Sequence, residues 1–195
     1  MAAMVLFSLT ACGEGEVKAD RSPLPTSAAP PYICNYVPLK AVGLMIGDRE
    51  PLVRGSFNLA LDEGIGYGTC TVYRRGGEQL KALQIGLTSG GYSEKVDEQV
   101  KDGASPLPKI VPGAIGYYFK DVDSENNAAY ALLVRGKAQI TVQLEMGVKG
   151  RDNAADVLAL MQLIAPKLIT DVSAPSESPS AISSTKAASP SPVKD

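Results

Sequence analysis

Apolar residues along the middle of the chain follow two periods, and each switch between them marks a new element. In Pro38 to Ile46, Leu39, Val42 and Met45 or Ile46 share one face, which predicts a short amphipathic helix stopped at Gly47. Alternation then takes over. Arg54 to Leu61 sets Phe57, Leu59 and Leu61 against Ser56, Asn58 and Ala60, and Gly68 to Arg74 continues the pattern through Cys70 and Val72. Asp62-Glu63-Gly64 forms the turn between them, and Gly76-Gly77 leads into a third strand, Leu80 to Leu87. Such short connections make these strands antiparallel neighbours. Ser93 caps a second helix in which Tyr92, Val96 and Val100 recur at a spacing of four, ended by Gly103 and Pro106.

The second half repeats the order. Gly113 to Lys120 reads as a strand with Tyr117 and Tyr118 on opposite faces, and Asn126-Asn127 marks a loop. Ala128 to Arg135 and Ala138 to Met146 are predicted to form a hairpin about Gly136-Lys137. Asp152 or Asn153 caps a last helix with Ala154, Val157, Leu158, Met161, Ile164 and Leu168 on its buried stripe; Pro166 is expected to kink its final turn. The expected fold is α+β, in the order α-β-β-β-α-β-β-β-α, with helices covering one face of an antiparallel sheet.

The two ends of the chain follow neither period. Residues 1–11 are a short apolar stub, and Leu9-Thr10-Ala11-Cys12 has the form read by a lipoprotein signal peptidase: small residues before the cut, then a thiol to take the lipid. No Lys or Arg precedes the stub, which leads to the expectation of a start codon placed too late. Residues 12–31, rich in Gly, Glu, Ser, Ala and Pro, read as a disordered tether. Residues 32–171 form the single domain, and residues 172–195, rich in Ser, Ala and Pro, a disordered tail.

Composition narrows the function classes. The chain has three Cys and no His. With lipid on Cys12, Cys34 and Cys70 are left, and in an exported protein a remaining pair is most simply a disulfide. The competing reading is two buried free thiols acting as small hydrophobes. Closing a loop of roughly 36 residues would stabilise the fold by about 3.5–4 kcal/mol on the chain-entropy account. A formal net charge of −2 with interspersed signs gives no nucleic-acid footprint. Any membrane attachment therefore rests on the amino-terminal lipid, because no later run offers a transmembrane helix.

The lipobox at Cys12, the Ser/Pro tether, Cys34 before a helix ending in Ile46-Gly47, Cys70 in a strand, Tyr73 three residues on, and an Ala-rich last helix resemble small actinobacterial lipoproteins bearing a domain of unknown function. The likeness spans roughly Tyr32 to Ile169. It implies a helix-covered sheet on the outer face of the membrane with a binding or structural role, and it supplies no catalytic residue.

Without His, Ser-His-Asp and Cys-His catalysis and zinc hydrolase motifs are excluded. Asp62 with Glu63 and Asp121 with Asp123 leave room for a carboxylate-dependent cell-envelope hydrolase, although acids in turns ordinarily serve local hydrogen bonding. Asp121-Val-Asp123-Ser-Glu125 has alternate oxygen ligands but lacks the Gly and distal Glu of a calcium loop, so no metal or cofactor is expected. The favoured expectation is a non-enzymatic binding or envelope-interaction module. In it a cleft beneath Tyr92, Tyr117 and Tyr118 takes an apolar small molecule, a lipid or an envelope protein. The bland alternative is that these phenols merely cover the core.

Overall fold

The computed structural model describes residues 20–60, 65–76, 78–90 and 93–174. Their architecture is α+β, with a large antiparallel sheet and three helices among the described residues. Two meanders build the sheet. The first comprises β3 (Leu52–Asn58), β4 (Tyr67–Tyr73) and β5 (Lys81–Ser89); the second comprises β6 (Ser105–Pro106), β7 (Ile115–Lys120), β8 (Ala129–Arg135) and β9 (Ala138–Leu144). They join through β5 and β9, giving the order β3-β4-β5-β9-β8-β7-β6. Leu83, Ile85 and Leu87 stand opposite Leu144, Val142 and Ile140 at this seam, all fully buried. Period-two alternation in both strands puts these six side chains on one face.

That face carries the main core. Cys70 and Val72 of β4 and Ala131 and Leu133 of β8 extend it, and it is covered by α1 (Leu39–Ile46) and α3 (Asn153–Leu168). Gly47 closes α1 with φ 72°, a left-handed conformation that glycine adopts freely. Asp152 caps α3 by accepting from the Ala155 amide at 3.1 Å, and the helix runs through Pro166 to Leu168.

The expectation that all helices cover one face is corrected. α2 (Ser93–Lys101) packs on the opposite face, where Val96 meets Tyr117 and Val134. The reason lies in β7 and β8, which are apolar on both sides: Tyr117, Phe119, Tyr130, Leu132 and Val134 all turn away from α3. An uncovered patch of this size would be costly in water, and α2 removes it.

The element order also departs from the expected one. A two-residue ladder, β1 (Tyr32–Ile33) with β2 (Val37–Pro38), precedes α1, and β6 adds a seventh strand beside β7. The domain extends past both expected boundaries. Leu24 is buried in the core, and Arg151 binds the carbonyls of Asp20 and Ser22, so the last part of the expected tether is packed chain. At the other end Ser173 and Ala174 are buried, and the Ser173 carbonyl accepts from the Gly66 amide at 2.8 Å. Residues 12–19 and 175–195 lie outside the described residues.

Cys34, between β1 and β2, is disulfide-bonded to Cys70 of β4, with Cα atoms 5.8 Å apart. The bond fastens the amino-terminal ladder to the sheet, as the even pair left after Cys12 suggested. The alternative of two free thiols is set aside.

Candidate functional site

Of the residues expected to matter, Cys12, Tyr92, Asp62 and Glu63 lie outside the described residues. Tyr117 sits under α2, 8% exposed, with its ring 6.2 Å from Phe119 and 6.0 Å from Tyr130. Burial pushes its phenol pKa up, and pushes that of Tyr130 to about 12, aided by the Tyr117 charge. Tyr118 projects to the other face and packs against the main core. Successive strand residues alternate sides, so Tyr117 and Tyr118 cannot line one cleft. Asp121 accepts a hydrogen bond from the Asp123 amide at 3.2 Å within its own turn. No group of three or more His, Cys, Asp or Glu is placed to hold a metal ion among the described residues.

The structure brings a different set of residues together. At one end of the sheet, residues 121–128 between β7 and β8 meet residues 145–152 between β9 and α3 across a cavity of about 430 Å³. Arg74, Lys120 and Lys149 line it, with Glu125, Ser124, Asn126, Met146 and Val122. Three cations against one carboxylate contrast with the net negative charge of the whole chain.

Backbone and side-chain amides make most of the bonds that hold the walls. The Gly147 amide donates to the Asn126 carbonyl at 3.0 Å, and Asn127 Nδ2 donates to the Val148 carbonyl at 2.8 Å. Asn153, at the start of α3, donates through Nδ2 to the Asn127 carbonyl. Asn127 takes φ 57°, a left-handed conformation that asparagine tolerates better than most residues. The Val148 amide reaches the Met45 carbonyl of α1 at 3.0 Å. Gly147 has no room for a side chain, since a Cβ there would lie 1.9 Å from Asn153 Nδ2.

Arg74 is aimed by an irregularity in the sheet. Pairing of β4 with β5 slips between Val72 and Tyr73, and a bulge of this kind redirects the residues that follow it. The Arg74 guanidinium then crosses to the Met146 carbonyl, with Nη2 at 3.2 Å, while its Nε is buried without a partner among the described residues. Native proteins keep few such orphans, because each forfeits the hydrogen bonds it had in water. Val122 stands 83% exposed at the rim.

No family model matches this sequence. Comparison with curated proteins likewise finds no match strong enough to count as a relative. The site is thus read from its own residues. Sequence periodicity did not reveal it, because its cations belong to three segments distant in sequence and none lies in an apolar stripe. The nearest signal is Asn126-Asn127, which marks a loop without indicating what that loop meets.

Proposed function

We propose that this protein is a lipid-anchored module on the outer face of the membrane that binds rather than catalyses, and that its ligand site is the cavity at Arg74, Lys120 and Lys149. The observation that carries this reading is the cavity itself. Its walls are tied by backbone and amide hydrogen bonds, whereas Lys120, Lys149 and Glu125 enter no ion pair among the described residues. A preformed concave site with uncommitted polar groups suits ligand binding. The address rests on the disulfide, which uses two of the three Cys and leaves Cys12 for lipid. These features also underlie the likeness to actinobacterial lipoproteins.

Two measurements test the proposal. Metabolic labelling with a tritiated fatty acid is expected to mark the wild-type protein in the membrane fraction and to leave Cys12→Ala unlabelled and released; label retained by Cys12→Ala refutes the anchor. Native mass spectrometry of protein recovered from membranes is expected to show an added mass that the Lys120→Gln/Lys149→Gln variant loses. An added mass carried equally by that variant refutes the site.

A further inference from the structure

We infer that the cavity takes a phosphate-bearing anion, an inference that rests on the binding-module reading above and names the ligand class for it. Charge comes first. Lys120 ends β7, Lys149 lies between β9 and α3, and Arg74 follows β4, so three separate segments bring cations to one cavity. Three cations elsewhere on the surface are paired, Arg75 with Glu50 at 3.4 Å, Lys81 with Glu145 at 2.6 Å and Arg135 with Asp171 at 2.6 Å, whereas Lys40, Lys101, Lys109 and Lys137 stand singly, with no ion pair among the described residues. The three cavity cations also have no ion-pair partner among the described residues, although Glu125 lines the same space.

Geometry then favours phosphate over carboxylate. A planar carboxylate is best held by two parallel donors of one guanidinium. Burial of Arg74 Nε closes the side-on Nε/Nη2 fork, and one Nη2 hydrogen is taken by the Met146 carbonyl. Arg74 retains Nη1. One guanidinium edge and two independent ammonium groups, arriving from different segments, suit the spread oxygens of a tetrahedral phosphate. The cavity is also much larger than a phosphate group needs, at about 430 Å³. Ser124 and Asn126 supply hydroxyl and amide groups for the esterified portion, and exposed Val122 offers an apolar edge. Phosphate esters of this description occur as membrane-lipid headgroups and as soluble metabolites.

The test uses the full-length protein with two probes. Titration calorimetry with glycerol phosphate reports the soluble source, and co-sedimentation with phosphatidylglycerol vesicles, against vesicles of an uncharged glycolipid, reports the headgroup. Saturable binding of either probe is expected, weakened at least about tenfold in Lys120→Gln/Lys149→Gln and retained in Lys40→Gln/Lys109→Gln, the control for general surface charge. Binding in one arm alone supports the inference and identifies the source. Equal binding of glycerol or succinate, unchanged binding in the cavity variant, or no binding of either probe overturns it. If protein from membranes still carries a phosphate-free mass lost in the cavity variant, the site stands and only the phosphate assignment falls.

Discussion

Among the described residues, Arg151 is the most heavily engaged side chain. Its guanidinium meets Asp156 through two bonds of 2.7 Å, Nε to Oδ2 and Nη2 to Oδ1, and its Nη1 reaches the carbonyls of Asp20 at 2.7 Å and Ser22 at 2.9 Å. The two side chains are 3% and 7% exposed. The hydrogen bond to Asp156 raises the Arg151 pKa further, against the opposing effect of burial. Removing one partner of such a pair leaves a charge stranded in the interior. Arg151→Met is expected to lower unfolding stability by about 3–5 kcal/mol, read by urea denaturation, and Arg151→Met/Asp156→Leu to recover much of the loss. A double variant no more stable than the single one would show that the pair is not the cause. Tyr130 makes a second prediction at this scale. Its folded pKa, about 12, exceeds the ordinary phenol value, so its contribution is complete at neutral pH and is lost as pH rises from the unfolded value through about 12. Tyr130→Phe removes this titration, and the alkaline unfolding curve is expected to flatten by comparison. Neither role was legible in the sequence, because a lone Arg and a lone Tyr carry no pattern until the fold surrounds them.

Elements were read well where periodicity was long. The strands that became β3, β4, β5, β8 and β9 were placed to within a few residues, because alternating burial on a half-covered sheet leaves a period of two. β1, β2 and β6 have two residues each, too few to show any period. The stripe of Val96 and Val100 announced that α2 packs, but a stripe carries no information on which face of the sheet receives it. Loop geometry was equally hidden, and Gly147 shows why. Nothing near it in sequence requires glycine; the requirement comes from Asn153 and Asn127 pressing from elsewhere, with the Asn127 carbonyl 2.8 Å from the position of a Cβ. Gly147→Ala is expected to cost about 1–3 kcal/mol by overpacking, measured by thermal unfolding, and to loosen the contact between the two cavity walls. Unchanged stability together with unchanged ligand binding would mean that the walls are not mutually dependent.

Taken whole, the described amino-terminal side is fastened by the Cys34–Cys70 disulfide, by Arg151 and by Lys167, which donates to the Tyr32 hydroxyl at 2.9 Å. The disulfide closes a separation of 36 residues. Cys34→Ala/Cys70→Ala is expected to lose about 3.5–4 kcal/mol, and a reductant to destabilise the wild type by a similar amount while leaving the variant unaffected. A variant as stable as the oxidised protein would contradict the assigned role of the bond. The pairing was legible only with Cys12 set aside for lipid in an exported chain, because three Cys leave no pair by parity alone. The cavity was not, since residues 74, 120–127 and 146–149 become neighbours only when two meanders join into one sheet.

Arg151 also sets a distance. It fixes Asp20 and Ser22 beside the start of α3, and Asp20 follows Cys12 by eight chain steps. Fully extended, that many residues reach about 28 Å. With the lipid on Cys12 as proposed, that upper bound would keep Asp20 within about 28 Å of the anchored residue, and so keep the domain near the membrane surface. A longer linker inserted before Asp20 would widen that range without touching the cavity.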